Sequence, residues 1–237
     1  MKSTTDKMPD YFGKDLEAMS FAVNYHKWIL SEFSPYLGNR AAEVGAGSGT
    51  FSQLLLETQL DHLSAFEPSR NMFPMLAETL SADERGVAIN SFFGETSATD
   101  SFDSVLYVNV LEHIEDDLAE LANAYTALNR NGHLLVFVPA LPWLYSELDK
   151  QVGHFRRYLK NDLVNLVQRQ GFKIIKAHYF DIAGILPWYV NFVLLKHSIG
   201  SGSVSLYDKL VVPIMRPLER LLSPPIGKNI LLVGKKA

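Results

Sequence analysis

The run Glu43-Val44-Gly45-Ala46-Gly47-Ser48-Gly49-Thr50 has the clearest chemical content in the chain. Glycines at alternate positions let a ligand come close to the backbone. A dinucleotide fingerprint needs glycine or alanine where this chain has Thr50, and a P-loop needs a lysine that is absent. Glu43, two residues before the first glycine, would repel a pyrophosphate, yet it can accept hydrogen bonds from an ammonium group. The turn therefore suits a cationic ligand. Glu67 lies 20 residues beyond Gly47, at the end of the next strand-like run. A carboxylate there can accept from both hydroxyls of a ribose. His113 and His154 are candidate bases, with His113 also readable as a structural neighbour of the pocket. Arg156 and Arg157 follow His154 closely and either form a solvated face or neutralise an anionic group on a substrate.

These residues need a scaffold, and the hydrophobic pattern predicts one. Arg40 to Val44 reads as a strand, the Gly-rich turn follows, and Phe51, Leu54, Leu55 and Leu56 mark a helix. Strands are then expected at His62 to Phe66, Val87 to Phe93, Asp103 to Val108 and Leu134 to Val138, with late strands at Lys173 to Tyr179 and Asn229 to Val233. Helices fall between them, at Ser69 to Ser81, after Glu115-Asp116-Asp117, and around Leu163, Leu166 and Val167. This alternation predicts an α/β fold, a doubly wound, Rossmann-like, mostly parallel seven-stranded sheet. Residues 1–39 read as an N-terminal helical cover, 40–180 as the α/β core, 181–228 as a helical insertion before the last strand, and 229–237 as that strand. The insertion would complete a substrate pocket or a dimer face, so a homodimer is one expectation.

Composition narrows the function classes. The 237 residues include 22 Lys+Arg against 26 Asp+Glu and no cysteine, for a net charge of -4. At 47% hydrophobic and 20% charged, the composition is that of a globular protein, which excludes a disordered or collagen-like chain. The missing cysteine excludes disulfides, thiolate metal sites and a cysteine nucleophile, and fits a reducing, cytoplasmic compartment. A slightly acidic chain without a basic block is a poor match for nucleic acid. The polar start carries no signal-peptide core. The apolar stretch 182–195 is shorter than the ~20 residues that span a bilayer, leaving a buried helix or an interfacial contact.

A glycine turn with Glu43 upstream and Glu67 downstream fits a ribose joined to an amino-acid end, as in S-adenosylmethionine. With these residues the chain resembles the class I S-adenosylmethionine-dependent methyltransferases, in particular their small-molecule branch. Phe102-Asp103-Ser104-Val105 leading to Val110-Leu111-Glu112-His113-Ile114 strengthens the likeness, which covers roughly residues 40–180. The resemblance implies that Gly45, Ala46, Gly47 and Gly49 line the methionine moiety and Glu67 holds the ribose. It also puts Pro68 by the adenine, Glu95 near the adenine amino group, and Asn109 and Val110 against the cofactor. No metal is implied.

Gly153-His154-Phe155-Arg156-Arg157-Tyr158 is similar to a G-H-x-R-R-Y segment in a bacterial subset of these enzymes that tailors natural products or glycans. The acceptor candidates are accordingly Trp143, Tyr145, His154, Arg156, Arg157 and Tyr158. Trp143 and Tyr145, together with Trp188 and Tyr189, either wall an apolar pocket or pack the insertion on the sheet. Tyr11, Phe12, Tyr25 and Trp28 read as core-facing, with Tyr11 or Tyr25 closing over the cofactor's carboxylate as the alternative. Two other functions share the same nucleoside pocket: aminopropyl transfer, and a non-catalytic cofactor-binding subunit. Base methylation of nucleic acid is disfavoured because Asn109 is followed by Val110-Leu111-Glu112 rather than by a Pro-Pro-aromatic motif.

Overall fold

The computed structural model describes residues 22–96, 99, 101–196 and 201–237. The aromatic pair Tyr11 and Phe12, and the stretch from Lys14 to Phe21 expected to be helical, lie outside the described residues. The first described helix, α1, is Val23–Phe33.

Seven strands form one sheet. They are β1 Arg40–Val44, β2 His62–Phe66, β3 Gly86–Ile89, β4 Phe102–Val108, β5 Leu128–Pro139, β6 Lys173–Phe180 and β7 Asn229–Lys235. The order across the sheet is β3-β2-β1-β4-β5-β7-β6. Strands β1 to β5 pair in parallel, and β7 runs antiparallel between β5 and β6. The order reverses between β1 and β4, the switch point at which open α/β sheets hold ligands beyond the strand C-termini.

The strands are covered on both faces, which is why they read as continuous apolar runs. Ala41, Leu63, Ala65, Leu106, Leu135 and Phe137 point into one core with Trp28, Ile29 and Phe33 of α1. Helices α2 (Thr50–Leu56) and α3 (Phe73–Leu80) add Leu55 and Leu76 to it. Ala42, Val44, Val105, Tyr107, Val136 and Val138 point into the other core. That core is closed by Leu121 and Ala124 of helix Asp117–Ala127 and by Leu163 and Val167 of helix Lys160–Arg169.

Three boundaries differ from expectation. The third strand stops at Ile89, because Phe93 packs edge-on against Phe66 and starts the single helical turn α4, Phe93–Thr96. Following α5 (Asp117–Ala127), β5 begins at once at Leu128, since Leu128 is buried and pairs with Phe102 across a register shift. The helix expected from Ser69 starts at Phe73, where Pro74 occupies its first turn.

After β5 come α6 (Glu147–Gln151) and α7 (Lys160–Arg169). Between β6 and β7 lie α8 (Ile185–Trp188), a π-helical turn Tyr189–Leu194, α9 (Ser201–Leu210) and α10 (Val212–Leu221). No described helix is long and apolar enough to cross a membrane.

Three buried acids stitch this segment to the core. Asp208 accepts from the backbone N–H groups of Asn24 and Tyr25. Glu219 accepts from those of Asp181 and Ile182. Asp181, fully buried at φ 63, accepts from the hydroxyls of Tyr25 and Tyr207 and from the Gly184 N–H, and pairs with Lys228 at 3.2 Å.

Candidate active site

A cavity of about 610 Å³ opens beyond the C-terminal ends of β1, β2 and β4. Gly45, Ala46, Gly47 and Ser48 of the Gly-rich turn form its floor, whereas Gly49, expected there as well, is outside the lining and abuts Thr79 and Leu76. Gly45, Gly47 and Gly49 all have positive φ, at 66°, 57° and 88°. Gly45 is also crowded, since a Cβ there would sit 2.7 Å from a methyl of Val110. Gly49 caps the N-terminus of α2, so the turn can bend from strand to helix only with these glycines.

Glu67 ties the turn to β2. Its carboxylate accepts from the Gly47 N–H and the Ser69 N–H, each at 2.8 Å. A carboxylate offers about four lone-pair directions, so capacity remains for two ligand hydroxyls. Glu43 is buried at the end of β1 and accepts from the Ser52 hydroxyl at 2.5 Å. Burial pushes its carboxyl up to about 8, against the lowering effect of the Ser52 bond.

Ala46, Pro68, Asn109 and Val110 also line the cavity. Asn109 takes the left-handed conformation at φ 54 while its N–H bonds Phe137 O, which turns the chain across the floor. Tyr25 is core-facing, one of the two roles the sequence left open, and it also borders the cavity. Its ring lines the cavity and packs edge-on against Trp28, Phe137 and Phe180, while its hydroxyl is held by Asp181 and Asn229.

Glu95 is a correction. It is exposed and outside the cavity, because Phe93 buries itself beside Phe66, Phe102 and Tyr107 and the turn α4 faces Glu95 outward. Ser91 and Phe92 line that end instead.

The opposite end holds a polar array. Asp149, fully buried at N3 of α6, accepts from the Ser146 N–H and hydroxyl, from Arg157 Nε at 2.9 Å, and bonds His154 Nδ1 at 2.8 Å. Burial raises its carboxyl, but the bonds from His154, Arg157 and Ser146 outweigh this and hold it below the usual carboxylate range. His154 Nε2 faces Glu112 at 3.8 Å, and the His113 ring packs edge-on against His154 at 4.5 Å. Burial and the neighbouring His154 push His113 down to about 3, so it is neutral near pH 7. Burial raises Glu112 to about 7 despite the nearby His154 and Arg157.

The remaining acceptor candidates separate. His154 and Arg157 line the cavity; Trp143, Tyr145, Arg156 and Tyr158 do not. Trp143 is 54% exposed and meets Tyr189 edge-on. Tyr145 donates to His154 O from behind the cavity wall. Arg156 and Tyr158 both bond Asp117 Oδ2, which locks the segment to the start of α5. Each arginine is neutralised by an acid of the chain itself, Arg156 by Asp117 and Arg157 by Asp149. The pair therefore does not present the unpaired positive charge expected for an anionic substrate.

Sequence reasoning missed Glu112, His26, Lys228 and Asn229, all on the cavity wall. Glu112 had a signal, its place beside His113; the others come from distant segments. Trp188, read from the sequence as either pocket wall or packing residue, lines the cavity, with the Arg157 guanidinium over its ring at 4.5 Å.

Residues 25–177, well over half of the chain, match the model of the methyltransferase domain family. No curated protein matches the chain. Among solved structures, the chain is similar to one from a complex between the Haloferax volcanii Trm112 methyltransferase activator and a methyltransferase, at 15% identity and TM-score 0.67, covering 94% of this chain and 93% of that one. A SAM-dependent methyltransferase from Archaeoglobus fulgidus is similar at 17% identity and TM-score 0.64, over 93% and 98%. The 1,6-didemethyltoxoflavin-N1-methyltransferase of Burkholderia thailandensis matches at 14% identity and TM-score 0.63, over 94% and 82%. The glycine turn, the acids at the ends of β1 and β2 and the sheet order agree with that family match: the chain belongs to the methyltransferase domain family and is a class I S-adenosylmethionine-dependent methyltransferase.

Proposed function

We propose that the enzyme methylates a small-molecule acceptor that enters at the Asp149, His154 and Glu112 end of the cavity. The carrying observation is the cavity itself. At about 610 Å³ it falls within the ~300–1,000 Å³ of small-molecule sites, and it runs from the Gly-rich turn to His154. Its charged and ionisable groups include acids, imidazoles, and one arginine and one lysine each ion-paired within the chain, which suits a neutral or weakly basic acceptor better than a phosphate backbone. A natural-product or glycan intermediate, handled in the cytoplasm, is the acceptor class in keeping with the segment from Gly153 to Tyr158.

In this reading the methionine end of the cofactor lies on Gly45 to Ser48 with its ammonium group toward Glu43, and the ribose hydroxyls bond Glu67. Methyl transfer from a sulfonium is an in-line displacement, so most of the protein's work is positioning. Calorimetry with S-adenosylmethionine and S-adenosylhomocysteine tests the cofactor assignment, which fails if neither ligand binds. Labelled methyl transfer to candidate acceptors then tests the acceptor class.

Two expected results arise here. Glu43 is protonated near pH 7 in the empty protein, because its carboxyl sits at about 8. A cationic ammonium beside it lowers that value, so cofactor binding at pH 7 releases a proton. Calorimetry in buffers of different ionisation enthalpy reads this as a buffer-dependent binding heat; a heat independent of buffer removes Glu43 from the ammonium contact.

His154→Ala is expected to reduce turnover at least tenfold with cofactor affinity unchanged, since Nε2 faces the acceptor end while the Gly-rich turn lies at the other. Unchanged turnover would take His154 out of the acceptor site.

A further inference from the structure

Glu112 is fully buried, and neither of its carboxylate oxygens has a hydrogen-bond partner. A carboxylate out of water and without partners is costly, and native proteins retain few such groups. Its neighbours supply a reason. Glu112, His113 and His154 each offer one ligand atom, and these atoms lie within 4.8 Å of one another. The 3.8 Å from His154 Nε2 to Glu112 is too long for a hydrogen bond. Two ligands of a tetrahedral zinc ion are about 3.4 Å apart, so no pair has to close by more than about 1.4 Å.

The outer partners fit as well. His154 turns Nδ1 to Asp149 at 2.8 Å, and His113 hydrogen-bonds the Gly153 backbone. A metal-binding histidine typically engages its second nitrogen in this way, which fixes the ring and the tautomer. Asp149 is in turn held by Ser146 and Arg157. All three candidate ligands line the cavity, so further coordination positions would face the acceptor.

We propose that Glu112, His113 and His154 bind a divalent first-row transition ion such as Zn²⁺ at the acceptor end of the cavity. Two imidazoles and one carboxylate favour such an ion over Mg²⁺, which prefers oxygen ligands. What the ion would do there rests on the methyl-transfer reading: it would polarise an acceptor hydroxyl and let its proton leave to solvent. His154 would then serve as a ligand and not as a free base.

The test is direct binding by chelator-stripped enzyme, with S-adenosylhomocysteine affinity measured on the same samples. Zn²⁺ calorimetry is expected to give one equivalent, and Co²⁺ a visible absorption band. Glu112→Gln and His154→Gln should each weaken binding at least tenfold, and Asp149→Asn about 10–100-fold through the loss of its bond to His154. S-adenosylhomocysteine affinity should stay the same in Glu112→Gln, which separates failure of the metal site from failure of the cofactor site. No saturable binding of either ion below about 1 mM, or equal affinity in wild type and Glu112→Gln, overturns the proposal.

An independent observation lies on α9 and α10. Leu206, Leu210, Ile214, Leu218 and Leu222 recur at every fourth residue and are 47% to 70% exposed. The opposite row, with Val204, Tyr207, Val212 and Met215, packs on the core. Both sides of these helices are thus apolar, although a surface helix needs only one apolar stripe. Exposed apolar side chains of this kind, carried by two successive helices, mark an interaction site. Charge indicates the partner. Among the described residues from Ile182 to Ser223, the exposed charges are Lys196, Lys209, Arg216 and Arg220, while Asp208 and Glu219 are buried, in a chain of net charge -4.

We infer that α9 and α10 lie on the surface of an anionic lipid bilayer, with the leucine row in the interface and the basic residues against headgroups. A second copy of the chain would bring more of the same basic residues, Lys209, Arg216 and Arg220, to the contact.

Sedimentation with phosphatidylcholine vesicles, with and without phosphatidylglycerol, tests this. Wild type should sediment with the phosphatidylglycerol vesicles and be released by salt. Leu210→Glu/Ile214→Glu should abolish sedimentation and Arg216→Glu/Arg220→Glu should weaken it, with S-adenosylhomocysteine affinity retained as the folding control. No sedimentation of wild type, sedimentation unchanged in the variants, or a dimer in ultracentrifugation that Leu210→Glu/Ile214→Glu dissociates would each overturn it.

Discussion

Asp149→Ala is expected to destabilise the enzyme by about 3–5 kcal/mol, the range for removing one partner of a buried ion pair. The Arg157 side chain is 1% exposed, and its Nε and Nη2 both bond Asp149. Without that carboxylate, the guanidinium keeps only Ala140 O at 3.3 Å and the Trp188 ring. Ser146 would lose the acceptor for its N–H and hydroxyl, so α6 would fray at its start. Urea denaturation measures the loss, and a change under about 1 kcal/mol would show that the array contributes little.

The sign of the pH dependence follows from the same geometry. The Asp149 carboxyl is held below its usual range, so its contribution is present above the unfolded value and is lost as pH falls through the lower folded value. Wild type should therefore lose stability on acidification below the ordinary carboxylate range. Asp149→Asn should show a flatter acid limb.

Glu67→Ala is expected to weaken binding of S-adenosylhomocysteine at least 100-fold. Two hydrogen bonds from ribose hydroxyls to a carboxylate are worth about 1.5–3 kcal/mol each, and 1.4 kcal/mol is a factor of ten in Kd. The same carboxylate also fixes the turn through Gly47 and Ser69, so the variant loses preorganisation as well as contact. Glu67→Gln keeps an acceptor oxygen and should fall between the two. Calorimetry reads both variants; a less than threefold change in Glu67→Ala would remove Glu67 from the ribose site.

The glycine-turn half of the cavity was legible in the sequence because it is local. A strand, a glycine turn and a helix follow one another within a few residues, and the positive φ values of Gly45, Gly47 and Gly49 are what that glycine spacing predicts. The half around His154, proposed to take the acceptor, is assembled from the turn after β4, α6, the residues after it, α8 and the start of β7. No periodicity reports such a meeting. Arg156 and Arg157 look equivalent as neighbours, but one reaches Asp117 and the other Asp149. Glu95 was misplaced for a similar reason: the burial of Phe93 sets the direction of α4, and a count of residues from β3 does not contain that fact.

The three acids that anchor the segment between β6 and β7 have an engineering consequence. Glu219 accepts from main-chain N–H groups of Asp181 and Ile182, and Asp208 from those of Asn24 and Tyr25, which any residue but proline would supply; Asp208 also accepts from the Asn24 side-chain amide at 3.0 Å. Asp181, by contrast, holds side chains, and two of its contacts, Tyr25 and Lys228, are cavity wall. A chimaera that exchanges residues 185–222 for another sequence can change the exposed positions, provided it keeps Trp188 in the cavity wall, a tyrosine at 207, acids at 208 and 219 and the core-packing Val204, Val212 and Met215. The outer face is thus separable from the wall and core it covers, to which these positions join it.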